Sequence, residues 1–394
     1  MTVLFGGTVS IKDKYAFVGV GLTKLGKIPE MTPDELAAQA ITLALADAGM
    51  RPNEVDGYIY QQGIGGGLSD TVPLQMTGIP ASMVWQVASL GSYANVMVAM
   101  AIGAMESGLC HTCVLVHAAS AASRRGGGMM GGGPPMGSTP GAYGWYGPGA
   151  TAACMAQRYM HLYGLKREQL GAIALTLREY ANKRPDAVMH DRVITMDDYL
   201  NARMVVEPLC LYDFCLVNDG AVALIITLAE RARNFKKRPV YVMGYGIDHS
   251  LREMGKSPES IHHFDGFVAQ KAGEEAFGMA GITIKDIDVA EIYDAFTIFL
   301  LSQLESYGIC KRGEAGPFVA AGSLKLNGSF PSNTSGTGLS WGYLMGFTQL
   351  TEGIRQMRGE GGVCQVKNAE ICLVTGLGGM VDNGSAATCC ILRR

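Results

Sequence analysis

Residues 87–96, VASLGSYANV, join a short apolar run to a helical pattern, and the joint is Gly91-Ser92. Acyl-transferring enzymes place a cysteine or serine nucleophile at turns of this kind, where amide dipoles at the start of a helix favour an anion. No cysteine lies within ten residues of Gly91, and Ser92 has no base beside it in sequence, so the serine reads first as a helix N-cap. A second chemistry-bearing pair is Tyr293-Asp294, directly after the buried-looking run DIDVAEI. An acid in that position needs a partner, which makes Asp294 a candidate to line a site. Cys110 and Cys113 form a CxxC, but no second pair follows at zinc spacing, and both flank the apolar strand pattern CVLVHAAS. They read as core, as does Cys372. The seven histidines do not gather with acids on one helix face, so no metal site is expected on this chain.

The elements that must position these residues come in two similar sets. Residues 32–60 begin with Thr32 as N-cap and Pro33 at the first helical position, run at helical spacing to Gly49, and end in the strand pattern YIYQ. Residues 268–292 repeat the plan: Ala48-Gly49-Met50 and Asp56 find counterparts, without gaps, in Ala280-Gly281-Ile282 and Asp288. GSYANVMVAMAIGAMESG then reads as a helix feeding the strand TCVLVHAA, and GYLMGFTQLTEGIRQMRG as a helix feeding ICLVTGLGG. Helices alternating with short apolar strands predict an α/β architecture, and the duplication predicts two like halves around one centre. Residues 126–149 hold eleven glycines together with Trp145 and several Met and Tyr, which suits either a loop over a binding site or a plain surface insertion.

Composition narrows the function classes. The 394 residues are 48% hydrophobic and 17% charged, enough for a large packed core and unlike a disordered chain. A net charge of −3 without basic runs argues against nucleic acid. No apolar stretch approaches a membrane span, and MTVLFGGTVSIKDKYAF is too short in apolar core for a signal peptide, so a cytoplasmic location is expected.

Taken in order, AFVGVGLTKLGK, ALADAG, VNDGAVALIIT, DIDVAEIYDAFT, NTSGTGLSWGYLMG and TGLGG resemble the thiolase superfamily, especially its sterol-carrier-protein-type branch, over nearly the whole chain. The resemblance implies a duplicated five-layered αβαβα core with an inserted loop domain. It divides the chain into residues 1–118 and 205–250 for the N-terminal half, 119–204 for the insertion and 251–394 for the C-terminal half. It also implies a homodimer.

That chemistry needs a thiol nucleophile, an acid/base and oxyanion-stabilising donors. By resemblance, Gly91 occupies the nucleophilic cysteine's place, and Tyr343 in Gly342-Tyr343-Leu344 that of the catalytic histidine. Tyr293-Asp294-Ala295-Phe296 matches the family's Asn-Glu-Ala-Phe, Asn333 its loop asparagine, and Gly378-Gly379 the cysteine-free remnant of its C-terminal Cys-x-Gly. The implied catalytic set is Gly91, Ser92, Tyr293, Asp294, Asn333, Tyr343 and Gly378; Phe296, Gly342 and Gly379 are implied to bind the CoA thioester. With no side chain, Gly91 is expected to leave room for a bulky ketone substituent while CoA attacks directly. The resemblance runs especially to thiolase-type subunits that cleave benzoylsuccinyl-CoA with CoA to benzoyl-CoA and succinyl-CoA in anaerobic toluene breakdown, beside a small OB-fold, zinc-ribbon partner. The same losses also fit a non-catalytic acyl-CoA- or lipid-binding scaffold.

Overall fold

A computed structural model of the chain describes residues 11–61, 68–87, 90–123, 147–250, 269–378 and 385–394. In the first half, β1 (Tyr15–Leu22), α1 (Pro33–Ala48), β2 (Gly57–Gln61), β3 (Met83–Val87), α2 (Tyr93–Glu106) and β4 (Thr112–Ser120) follow the predicted order. Helices α3 (Gly147–Tyr163) and α4 (Arg167–Asn182) and the small ribbon β5 (Met204–Val206) and β6 (Leu209–Cys210) come next, and β7 (Asp219–Leu228) returns to the sheet. The second half holds β8 (Val240–Ser250), α5 (Gln270–Ala280), β9 (Val289–Glu291), α6 (Thr297–Ser306), α7 (Phe347–Arg358), β10 (Ile371–Gly378) and β11 (Ser385–Arg393). Strand β8 pairs along its length with β11 and so belongs here rather than to the first half, where the 205–250 boundary places it.

The duplication is visible in the hydrogen bonding. The strand order is β3-β2-β4-β7-β1-β8-β11-β10-β9. In the first half β2 runs parallel to β3 and β4, β4 antiparallel to β7, and β7 antiparallel to β1. In the second, β9 runs parallel to β10 and to the bridge at Ser332, β10 antiparallel to β11, and β11 antiparallel to β8. The half-sheets meet where Ala16 and Phe17 pair with Tyr241 and Val240. Helix α1 covers the outer face of the first half and α5 that of the second; α2 packs on strands of both halves, with α7 beside it. These contacts are the five layers the resemblance implied.

Small residues set the outer layers. A Cβ on Gly21 of β1 would stand 1.9 Å from the Ala40 carbonyl oxygen of α1, and one on Gly246 of β8 would stand 1.8 Å from the Ala272 oxygen of α5. Only glycine allows each helix this close to its strand. Helices α1 and α5 both end on a left-handed glycine, Gly49 (φ 68°) and Gly281 (φ 67°). The paired acids do the same work in each half. Asp56 accepts hydrogen bonds from the backbone N–H groups of His111 and Thr112 at the start of β4, and Asp288 from those of Glu370 and Ile371 at the start of β10.

The helix expected from Gly342 onward begins only at Phe347. Met345 and Gly346 have positive φ (49° and 87°), which a right-handed helix cannot contain, and residues 337–341 form a separate turn. Tyr343 therefore lies on an irregular segment. Among the described residues no helix is long and apolar enough to cross a membrane.

Candidate active site

Gly91 lies in the turn Leu90–Ser92 that leads into α2. The space beside it is filled. A Cβ at Gly91 would fall 2.2 Å from the Leu377 carbonyl oxygen and 2.2 Å from both Cζ and the hydroxyl oxygen of Tyr293. The expectation of open room for a ketone substituent at Gly91 is thus corrected: the tip of Tyr293, reaching in from the second half, occupies it. The closing glycine stretch packs on the same turn, for a Cβ on Gly376 would meet the Gly91 oxygen at 3.1 Å.

Tyr293 does not stand alone. Its hydroxyl lies 2.5 Å from that of Tyr343, whose oxygen also lies 3.1 Å from the Met345 sulfur. Both rings are buried. Burial pushes both phenols above their ordinary range, and the Tyr343 hydroxyl beside it draws Tyr293 partly back. Both are neutral at physiological pH, so the pair can donate protons and relay them but is not a standing phenolate base.

The backbone around Tyr293 is clamped by residues the sequence did not single out. Its N–H donates to Thr375 Oγ1 at 2.9 Å, and Gln303 Nε2 donates to its carbonyl oxygen at 2.8 Å. Thr375 and Gln303 are themselves bonded at 2.6 Å. On the other side, the Tyr343 N–H donates to Asn218 Oδ1 at 2.7 Å. Partly exposed Cys215 is held next to this centre, its N–H bonded to the Ala295 oxygen at 2.9 Å. Desolvation, with Asp294 adding to it, pushes the Cys215 thiol up, which makes it a neutral neighbour of the tyrosines. Asn218 and Thr375 lie inside the stretches VNDGAVALIIT and TGLGG but are not singled out within them, and nothing in the local pattern marks Gln303 or Cys215, because each acts across the fold.

Asp294 is fully buried and accepts four hydrogen bonds: Gly338 N–H at 2.9 Å, Leu339 N–H at 3.0 Å, Thr337 Oγ1–H at 2.6 Å and Gln349 Nε2–H at 2.5 Å. Burial pushes its pKa up to about 6 against the pull of these donors. With both oxygens engaged, Asp294 holds the turn before Tyr343. Asn333 (φ 54°) does related work on the strand: its side chain accepts from the Ile292 N–H at 3.1 Å and donates to the Ile292 oxygen at 2.6 Å and to Thr337 Oγ1 at 2.7 Å. It braces the residue before Tyr293 rather than Tyr343 itself.

The remaining candidates sit close by with structural duties. Ser92 donates its hydroxyl to the Ala386 carbonyl oxygen at 2.5 Å and makes no side-chain cap for α2, so the N-cap expectation is corrected. Phe296 packs edge-on between Phe214 and Phe299, with ring centroids 5.0 and 4.8 Å away. Gly342 abuts Leu25, and Gly378 ends β10 opposite Ala386. Gly379 and residues 126–146 lie outside the described residues. Cys110, Cys113 and Cys372 are buried free thiols, in keeping with their reading as core. Among the described residues no group of three His, Cys, Asp or Glu side chains is placed to hold a metal ion.

A family profile described as Thiolase C-terminal domain-like matches residues 257–394. The chain is 33% identical to the 17-hydroxy-3-oxo-4-pregnene-20-carboxyl-CoA lyase of Mycobacterium tuberculosis, over 95% of this chain and 99% of that one. It is 30% identical to an acetyl-CoA acetyltransferase of Methanothermobacter thermautotrophicus over 94% and 97% of the two chains. The similarity to the benzoylsuccinyl-CoA thiolase subunit BbsB of Thauera aromatica is 29% and covers 60% of this chain and 62% of that one. A solved Ltp2-ChsH2(DUF35) aldolase superposes with a TM-score of 0.87 at 30% identity, over 98% of each chain. With its duplicated layers and this full-length similarity, the chain belongs to the sterol-carrier-protein-type branch of the thiolase superfamily and is an acyl-CoA enzyme of the thiolase-like kind, whose similar proteins include both acyltransferases and a CoA-thioester lyase.

Proposed function

We propose that the chain cleaves a carbon–carbon bond of a CoA thioester bearing a hydroxyl on C3, by a retro-aldol reaction without an acyl-enzyme. One observation carries this reading: the Tyr293 hydroxyl stands where a nucleophile's Cβ would be and is hydrogen-bonded to Tyr343. In such a reaction the C3 hydroxyl loses its proton and the C2–C3 bond breaks. The electron pair moves into the thioester enolate, which takes up a proton at C2; the products are a carbonyl compound and a shortened acyl-CoA. Two neutral phenols in contact suit this sequence as a relay: one accepts the hydroxyl proton as it passes its own to the other, which yields its proton towards C2, so both end as neutral phenols. The similarity to a lyase and to an aldolase assembly supports it.

A thiolytic reading, in which free CoA attacks a 3-oxo carbon and an aryl ketone such as benzoylsuccinyl-CoA is the substrate, draws on the similarity to acetyl-CoA acetyltransferase and to the benzoylsuccinyl-CoA thiolase subunit. The two differ in their need for CoA. Incubating the purified chain with a 3-hydroxyacyl-CoA, and separately with a 3-oxoacyl-CoA with and without CoA, and resolving products by mass separates them. We expect CoA-independent cleavage of the hydroxy substrate to one thioester and one carbonyl compound. Strict dependence on free CoA with two thioesters formed would replace this reading by thiolysis, and binding without turnover by a scaffold role.

The proposal includes assembly. We infer a small OB-fold, zinc-ribbon partner, supported by the two-component aldolase, and a homodimer formed along β3. That strand ends the sheet, with Val84 exposed beside half-buried Trp85. Sedimentation of the chain alone and with its partner tests both.

A further inference from the structure

Behind the strand that carries Tyr293, two carboxyl groups are buried together. Glu291, the last residue of β9, and Glu352 of α7 are both fully buried. Thr334 Oγ1 lies 2.8 Å from Glu291 Oε1 and 3.1 Å from Glu352 Oε1, and its single hydrogen serves only one of them. Gln356 Nε2 donates to Glu352 Oε1 at 3.1 Å and to Thr334 Oγ1 at 3.0 Å. The Thr334 N–H reaches Glu291 Oε1 at 3.3 Å, while Glu291 Oε2 has no hydrogen-bond partner.

The charges around this pair can be counted. Arg184 donates to Glu352 Oε2 at 2.8 Å and to Asp186 at 3.3 Å, and stacks 4.8 Å above Trp341. Arg355 stacks on Trp341 at 5.3 Å and pairs with Asp186 at 3.4 Å. The other titratable groups near Glu291 are Tyr180 of α4, Cys364 before β10 and Cys372 on β10, all held neutral by burial. Two cations therefore face Glu352 and Asp186, and a charged Glu291 would be a third, unmatched anion in a buried site.

The same place grips the active-site loop. Glu291 holds Thr334, Asp294 holds Thr337, Gly338 and Leu339, and Asn333 clips Ile292 between them. The loop held by both acids runs on to Tyr343. We propose that Glu291 and Glu352 keep one proton between them, and that this proton latches the loop onto the strand bearing Tyr293, which makes Glu291 a positioning residue for the tyrosine pair. Burial and the neighbouring Glu352 charge hold the Glu291 carboxyl well above the usual carboxylate range, consistent with this arrangement. Loss of the proton at alkaline pH sets two carboxylates against one threonine hydroxyl and parts the loop from the strand.

The proton can be read without turnover, so its test stands apart from the retro-aldol reading; only the activity arm rests on that reading. Infrared difference spectra of the full chain at neutral pH, wild type minus Glu291→Gln, should show the carbonyl band of a protonated carboxylic acid. No such band would overturn the proposal. Glu352→Gln is the second variant should Glu291→Gln not fold: without the Glu352 charge, Glu291 ionises against Arg184 and the band disappears. A band that persists in Glu352→Gln also overturns the shared proton. In activity, Glu291→Gln should retain neutral-pH turnover within about threefold and move the alkaline loss of kcat up by about one pH unit, whereas Glu291→Ala loses about tenfold. An alkaline limb unchanged in Glu291→Gln overturns the latch.

Discussion

The hydroxyl oxygens of Tyr293 and Tyr343 lie 2.5 Å apart, with the backbone of Gly91 against the first. One copy of the duplicated unit thus contributes a bare turn, and the other fills it with a phenol. If the pair moves protons, Tyr293→Phe and Tyr343→Phe should each lower kcat by about a hundredfold or more, with CoA-thioester affinity in calorimetry within a few-fold of wild type. Retention of half the wild-type kcat by either variant would remove the pair from the mechanism.

Restoring a side chain at the turn should not restore a nucleophile. Gly91→Ala and Gly91→Cys each drive a Cβ into the Tyr293 hydroxyl and the Leu377 oxygen, at a cost of about 1–3 kcal/mol in urea unfolding. Combining Gly91→Ala with Tyr293→Ala relieves one of these clashes. The double mutant should therefore be more stable than the sum of the single effects by about 1 kcal/mol. Additivity would mean that the two residues do not touch in solution.

Asp294 gives the acid side of the pH profile. Its carboxylate accepts four hydrogen bonds, and a proton on it would displace at least one donor from the turn leading to Tyr343. With a folded pKa of about 6, kcat should fall as the pH drops below that value, and Asp294→Asn should lose this limb together with most activity. Stability runs the other way. The folded pKa exceeds the unfolded value of about 3.9, so this group's contribution is fully present below that value and declines as pH rises through about 6. Activity and the Asp294-dependent part of stability moving in the same direction would contradict this assignment.

Asp56 and Asp288 should be energetic twins. Each pins the first backbone N–H of an inner strand and that of the residue before it, so Asp56→Ala and Asp288→Ala are each expected to cost about 1–3 kcal/mol in chemical denaturation. A neutral substitution at one and a costly one at the other would break the equivalence of the halves.

The frame was legible because its signals are local and repeated. Ala48-Gly49 and Ala280-Gly281 stop helices in the same way, and the acid seven residues after each glycine pins a strand, so spacing alone brought out the duplication. The resemblance brought Gly91, Tyr293, Asp294, Asn333 and Tyr343 into one list, and the structure brings them into one place. What could not be read was who fills which space. The sequence shows Gly91 as empty because its occupant is far along the chain, and it shows that Asp294 needs a partner without showing which, because its four donors lie on the 337–339 turn and on α7. The pattern around Tyr343 predicts a helix because the left-handed backbone of Met345 is invisible in its side chain.

The contact of Gly91 with Tyr293 and Leu377 places the proposed reaction centre in neither copy of the repeat but at the joint where they meet. Each copy keeps its own scaffold of helices docked on glycines and strands pinned by acids, independent of what it offers to that joint. Reactive groups can therefore pass from one side to the other without disturbing either scaffold. An ancestral duplication arranged in this way gives evolution two loci at which to rewrite a single reaction.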